Sequence, residues 1–147
     1  MTDSVSNGDL LDVNVWLALA VKEHVHHAPA MAYWHETEAR RRHFCRVSAL
    51  SLVRLLMHGG LMANAPLSLP QAWEHYRRWR DLPGVALVDE TPTLEHVLEK
   101  YIAADLPARH FTDAYFAALC TSTGLRLISF DKDFRRFAGL NWLQLRA

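Results

Sequence analysis

The sequence is poor in cysteine and has no excess of charge of either sign. Its 147 residues include two cysteines, Cys45 and Cys120, with no CxxC pair and no Cys/His pattern at zinc spacing. These absences argue against a disulfide framework and a structural zinc, and they fit a reduced, cytoplasmic setting. Basic and acidic residues number 16 each, so the formal net charge is zero. A protein that coats nucleic acid non-specifically is therefore not favoured.

Long hydrophobic runs are also missing. The first residues, Met1 to Gly8, are polar and carry no positive segment or long apolar core. The longest apolar stretches fall well short of the ~20 residues that a membrane span requires. No internal repeat, low-complexity tract or long linker divides the chain. We therefore predict a soluble, cytoplasmic protein with one domain over residues 1–147.

Short apolar runs alternate with amphipathic segments, which is typical of an α/β fold. The expected strands are Asp9–Asp12, Phe44–Val47, Val85–Val88, Leu127–Phe130 and Asn141–Leu145. The expected helices are Val15–Val21, Ala28–Arg42, Leu50–His58, Gln71–Arg80, Leu94–Ala104, Asp113–Ser122 and Asp133–Phe137. Because crossovers between parallel strands are nearly always right-handed, this order predicts a three-layer αβα sandwich with a mostly parallel sheet of about five strands.

Several residues are expected to begin or end these helices. Ser48 and Thr112 are predicted to cap the third and sixth helices, because hydroxyl side chains accept hydrogen bonds from free helix amides. Gly59-Gly60 and Gly124 are predicted to end the same two helices.

Three aspartates far apart in the sequence are candidates for one site. Asp12 follows the first predicted strand, Asp131 follows the fourth, and Asp113 lies in the first turn of a helix. Ligands of open parallel sheets bind beyond the carboxyl ends of the strands, so the three side chains can meet there. The alternatives are that Asp12 is only a loop residue, that Asp113 is only an acid favoured by the helix dipole at a helix N-terminus, and that Asp131 is only a turn or cap residue. Of the pair Asp131 and Asp133, we assign capping or ligand support to Asp133.

Three carboxylates gathered within several ångströms repel one another and raise each other's pKa values. A cation that neutralises them makes such a cluster tenable, and hard oxygen ligands favour Mg²⁺ or Mn²⁺. These ions bind phosphates and activate water, so the residues indicate metal-assisted hydrolysis of phosphodiester bonds.

Four segments together resemble the PIN-domain family, and within it the VapC-type toxin ribonucleases of type II toxin–antitoxin systems. They are Leu10–Val15, Ser48–Leu56, Phe111–Ala118 and Leu127–Phe134, in the order of that family. The resemblance extends over roughly Asp9 to Leu145.

The resemblance implies a metal-dependent endoribonuclease. It implies that Asp12, Asp113 and Asp131 form the metal site, with Asn14 and Ser129 as nearby polar positions that orient ligands or water. It also implies a homodimer and a small VapB-type antitoxin whose tail plugs the active site.

The sequence departs from the family at Arg54, where a glutamate is usual. One hypothesis is a site for a single metal ion, with Arg54 contacting phosphate or an acid. A second is that Asp133 supplies the missing carboxylate. A third is a catalytically weakened module that binds RNA or protein without cutting. We favour the first. A DNA nuclease with the same metal chemistry is a further alternative.

Two other features near the three aspartates have expected places. Arg135 and Arg136, shortly after Asp131, are expected to contact substrate phosphate. His110, shortly before Asp113, is expected at the surface rather than as an acid or base.

Overall fold

A computed structural model describes residues 8–58 and 65–146 of the chain. These residues form a parallel five-stranded sheet flanked by helices, so the predicted three-layer sandwich is confirmed. The strands are β1 (Gly8–Leu11), β2 (Arg41–Phe44), β3 (Val85–Leu87), β4 (Arg126–Ser129) and β5 (Trp142–Gln144). They lie in the order β3-β2-β1-β4-β5.

Within residues 8–58 and 65–146, six α-helices connect the strands. They are α1 (Val13–Ala20), α2 (His27–Glu36), α3 (Arg46–Leu56), α4 (Leu69–Arg80), α5 (Leu94–Ala103) and α6 (Phe111–Thr123). Two 3-10 turns, Ala108–His110 and Lys132–Arg136, precede α6 and follow β4. In the described part of the chain, no helix combines the length and the apolar character needed to cross a membrane.

The central strand β1 is buried along its whole length and contributes side chains to both hydrophobic cores, one on each face of the sheet. Leu11 packs with Trp16, Phe44 and Ile128 on one face of the sheet. Leu10 belongs to the second core, which α6 dominates, on the other face. Successive strand side chains point to opposite faces, so two adjacent leucines serve two layers.

The predicted bounds of the second strand are wrong. Strand β2 spans Arg41–Phe44 rather than Phe44–Val47, so it begins three residues earlier. The predicted helix through Arg42 ends instead at Glu36. Arg42 is buried in the strand, where its guanidinium donates to the Trp34 carbonyl and to Thr37 Oγ1. It also lies 4.1 Å from the centre of the Trp34 ring. These partners compensate for burying the guanidinium, so Arg42 lies in a strand although the sequence pattern predicts a helix there.

Two capping predictions are wrong, and of the two roles assigned to Asp133 capping is excluded. Helix α3 begins at Arg46 with Cys45 as its cap, and Ser48, inside the helix, accepts from the Cys45 amide. Helix α6 begins at Phe111, directly after a 3-10 turn, so Thr112 lies within it. Asp131, rather than Asp133, caps the 3-10 turn after β4. The actual caps, Cys45, His110 and Asp131, lie two or three residues before the predicted ones.

The glycine predictions fare differently. Gly124 ends α6 with a φ of 80°, as predicted, because a residue without a Cβ enters the left-handed region at low cost. The predicted stop at Gly59-Gly60 lies outside the described residues.

A buried ion cluster anchors the amino end of β1. Asp9 is fully buried and lies 2.7 Å from an Arg40 nitrogen and 2.9 Å from an Arg126 nitrogen. Tyr33 Oη also donates to it at 2.6 Å. Burial alone would raise the pKa of Asp9, but the hydrogen bonds from Arg126, Arg40 and Tyr33 outweigh it and lower the pKa. The cluster joins β1, β4, α2 and the turn before β2.

Replacing Asp9 with asparagine should destabilise the fold. Asp9→Asn leaves two partly buried guanidinium groups without their carboxylate, and we expect a loss of about 3 kcal/mol in the free energy of unfolding. The wild-type contribution is fully present above the ordinary carboxyl pKa of 3.8 and disappears as the pH falls through the lower folded value. Urea unfolding at pH 7 measures the loss. The exposed Asp89→Asn is the matched control, and equal stability of the two variants would contradict the role of Asp9.

Candidate active site

Asp12 and Ser129 meet at the carboxyl edge of the sheet, between β1 and β4. The Asp12 amide donates to the Ile128 carbonyl at 2.9 Å, which continues the parallel register of the two strands. Ser129 Oγ donates to Asp12 Oδ2 at 2.7 Å. The chain leaves β1 towards β2 on one side, while β4 lies on the other, so this edge is the switch point of the topology. Ligands of such folds bind there.

The Ser129 hydroxyl joins the polar side chains of this edge. It donates to Asp12 and accepts from the Asp131 amide at 2.9 Å and from Asn14 Nδ2 at 3.3 Å. Asn14 Oδ1 in turn accepts from the Phe130 amide at 3.4 Å. One donor and two acceptor positions are all that a hydroxyl offers, so Ser129 is saturated. The structure therefore brings Asp12, Asn14, Ser129 and Asp131 together.

Asp113 approaches the same edge from the first turn of α6. Its Oδ2 lies 3.2 Å from His110 Nδ1, and its side chain is 22% exposed. Burial is the main reason that the pKa of Asp113 is raised, and the negative charges of Asp131 and Asp133 raise it further. The hydrogen bond from His110 opposes this shift. The carboxylates are thus close enough to repel one another.

Asp12 is affected most strongly. Burial raises its pKa from 3.8 to about 6, and the charges of Asp113 and Asp131 contribute to the rise. Hydrogen bonds from Ser129 and from the Val13 amide act in the opposite direction without cancelling the effect. The cluster therefore disfavours its own fully ionised state, as expected for carboxylates that face one another without a cation.

The donor set suits a hard divalent cation. Asp131 Oδ1 accepts from the Asp133 amide at 2.8 Å, while its Oδ2 and Asp113 Oδ1 make no hydrogen bond within the described residues. Carboxylate oxygens are the ligands that Mg²⁺ and Mn²⁺ prefer. Across residues 8–58 and 65–146, no three acidic, histidine or cysteine side chains already converge as a ready set of metal ligands. A cation would therefore have to draw the three carboxylates inward.

Two other predicted site residues lie at the margin of the cluster. Asp133 is exposed and close enough to Asp113 to influence its pKa. Arg54 is exposed in the last turn of α3. Because α3 starts at the carboxyl edge and rises ~1.5 Å per residue, Arg54 lies roughly 12 Å along the helix from that edge. No hydrogen bond or ion pair in the described chain joins Arg54 to the three aspartates.

The expected surface position of His110 is wrong. The residue is 4% exposed, and its Nδ1 faces the Asp113 carboxylate. The spacing of three residues places both side chains on one side of the first helical turn, and this was the sequence signal that could have revealed the contact. Its burial could not be read from the sequence, because it depends on how the turn before α6 packs.

Comparison with known proteins establishes the family. The PIN-domain family model matches residues 10–140, so the chain belongs to the PIN-domain family. Within it, the chain is 34% identical over 137 residues to Ribonuclease VapC41 of Mycobacterium tuberculosis, covering 89% of this chain and 94% of that protein. The resemblance to VapC-type ribonucleases is thereby confirmed.

Two solved structures share the fold. VapBC2 from Rickettsia felis, bound to a promoter DNA fragment, aligns with a TM-score of 0.71 at 9% identity, covering 94% of this chain and 98% of that one. Mycobacterium tuberculosis VapC20, a toxin that cleaves the sarcin–ricin loop, aligns with a TM-score of 0.66 at 19% identity, covering 90% and 96%.

Removing the Asp12 charge should stabilise the protein when metal is stripped with EDTA. The folded pKa of about 6 exceeds the ordinary 3.8, so the folded state binds more protons between about pH 4 and pH 6. The free energy of unfolding therefore falls as the pH rises through that window. Asp12→Asn should recover about 3 kcal/mol at pH 8 and about half of that at pH 5. Urea unfolding at both pH values tests this, and a variant less stable than wild type at pH 8 would contradict it.

Proposed function

We propose that the chain is a metal-dependent endoribonuclease toxin that hydrolyses RNA phosphodiester bonds in the cytoplasm. The observation that carries this proposal is the approach of Asp113 and Asp131 to Asp12 at the switch point of the sheet, where burial and then the charges of these two neighbours raise the pKa of Asp12. Similarity to Ribonuclease VapC41 along 89% of the chain supports RNA as the substrate.

Asp12, Asp113 and Asp131 are the residues that would hold Mg²⁺ or Mn²⁺. When bound there, the cation would supply an activated water and would neutralise the charge that develops on the phosphate. Ser129 fixes Asp12 and the backbone at Asp131 in their relative positions, because its hydroxyl is hydrogen-bonded to both. Asn14 anchors the backbone after β4 and keeps the Ser129 hydroxyl directed at Asp12.

Positive side chains beside the cluster would bind the RNA backbone. Lys132, Arg135 and Arg136 are exposed on the 3-10 turn that follows Asp131, and none of them forms an ion pair with another described residue. Arg54 would contact a phosphate of the RNA further from the three aspartates. Because it lies in the last turn of α3, it adds no ligand to the three carboxylates, which supports a site for one metal ion. Asp133 supports this site through its amide contact with Asp131.

We also propose a small VapB-type antitoxin and a homodimeric assembly for this chain. The Rickettsia felis protein of the same fold was solved as a VapBC2 complex on promoter DNA. An antitoxin segment that covers the carboxyl edge of the sheet would block access to Asp12, Asp113 and Asp131. Cleavage would then resume when the antitoxin is removed.

Substitution of any one aspartate should abolish RNA cleavage. Asp12→Asn, Asp113→Asn and Asp131→Asn should each reduce the rate at least about 100-fold, because several kcal/mol of transition-state charge stabilisation depend on the cation they hold. The measurement is cleavage of total RNA with Mg²⁺ or Mn²⁺ and with EDTA. Asp89→Asn, at an exposed position, should retain wild-type activity.

Full activity in EDTA would contradict the proposal. Matched RNA and DNA oligonucleotides distinguish a ribonuclease from a DNA nuclease. If wild type and Asp12→Asn arrest growth equally on expression, the chain is instead a binding module, the alternative that Arg54 at the usual glutamate position suggests.

Arg54→Ala should weaken RNA binding without slowing the chemical step. Loss of one phosphate contact removes binding that is equal in substrate and transition state, so KM should rise roughly three- to tenfold while kcat is unchanged. Arg41→Ala is the control, because Arg41 is exposed and lies at the amino end of β2, opposite the carboxyl edge. A large fall in kcat would instead place Arg54 in the catalytic cluster.

A further inference from the structure

His110 is a buried polar side chain that the function proposed above does not use. It lies in the 3-10 turn before α6 and is 4% exposed. Its Nδ1 lies 3.2 Å from Asp113 Oδ2. Its Nε2 is buried and has no hydrogen-bond partner in the described part of the chain.

These surroundings determine which ring nitrogen carries the proton. A proton on Nε2 alone would leave a buried N–H without an acceptor, which is costly. It would also direct the Nδ1 lone pair at the Asp113 carboxylate, where two acceptors repel. A proton on Nδ1 removes both problems, because the ring then donates to Asp113 Oδ2. The contact is therefore a directed hydrogen bond from His110 to Asp113.

The hydrogen bond gives Asp113 a defined orientation. Burial is the main cause of the raised pKa of Asp113, and the nearby negative charges of Asp131 and Asp133 add to it by repelling the carboxylate. The side chain is 22% exposed, so rotation towards solvent would relieve that repulsion. The bond from His110 occupies Oδ2 and leaves Oδ1 without a partner among the described residues.

We propose that His110 is a positioning residue that holds Asp113 ready to bind the cation. This inference rests on the function proposed above and deepens it. Groups that hydrogen-bond metal ligands from behind restrict their rotation, and their loss typically weakens metal binding ~10- to 100-fold. His110 is buried and its Nδ1 faces the Asp113 carboxylate, so its effect on the cation should pass through Asp113.

Calorimetric titration of the metal-free protein with Mn²⁺ tests the proposal. His110→Ala removes the donor and should raise the Kd for Mn²⁺ about tenfold. His110→Asn places an amide nitrogen near the position of Nδ1 and should restore the Kd to within about threefold of wild type. His96→Asn, on the exposed face of α5, is the matched control. Equal Kd values for wild type and His110→Ala would overturn the proposal, as would failure of His110→Asn to restore binding.

The same variants separate positioning from a general structural effect. In RNA cleavage, His110→Ala should lower kcat at saturating substrate while KM for RNA stays the same, and His110→Asn should recover kcat. An unchanged kcat would contradict the proposal. Circular dichroism checks that each variant folds.

Nitrogen-15 NMR of the histidine rings covers the case in which His110→Ala does not fold. In the wild type, Nδ1 of His110 should carry a proton, and a spectrum with a bare Nδ1 would overturn the proposal. Asp113→Asn separates this inference from the function proposed above. If Asp113→Asn leaves Mn²⁺ binding intact, the metal site itself is wrong. If Asp113→Asn weakens binding and His110→Ala does not, only the role of His110 is wrong.

Discussion

The parallel pairing of β1 with β4 is the constraint on which the site depends. The bond from the Asp12 amide to Ile128 fixes where β1 ends relative to Ser129. A slip of one residue would turn Ser129 to the opposite face and break its bond to Asp12. The Asp131 amide and Asn14 both bond to the same hydroxyl, so they would be displaced as well. One register therefore sets the geometry of the whole carboxyl edge.

The aspartates at the two ends of β1 have pKa shifts of opposite direction. At the amino end, Asp9 is surrounded by Arg40 and Arg126, which hold its pKa low. At the carboxyl end, Asp12 is buried beside other carboxylates, and its pKa rises to about 6. The first arrangement stabilises the fold, and the second destabilises it as the buried carboxyl ionises. The formal net charge of zero does not reveal this difference between the two ends of β1.

The sequence predicts the placement of Asp12 and Asp131 because each follows within two residues of the end of a short, largely apolar strand. It does not predict the ends of β2, because the burial of Arg42 depends on Trp34 and Thr37, which only the fold brings near. The contact of His110 with Asp113 is local, but its burial arises from tertiary structure. Patterns of apolar residues thus specify the sheet, whereas buried polar groups depend on partners that the pattern does not reveal.

The most direct test is a crystal structure of the protein grown with Mn²⁺, with anomalous diffraction used to locate the ion. The central claim is that Asp12, Asp113 and Asp131 share one cation at the switch point between β1 and β4. It predicts a single anomalous peak within bonding distance of a carboxylate oxygen from each of the three. A peak bound elsewhere, or none at this edge at a saturating concentration, would contradict the claim.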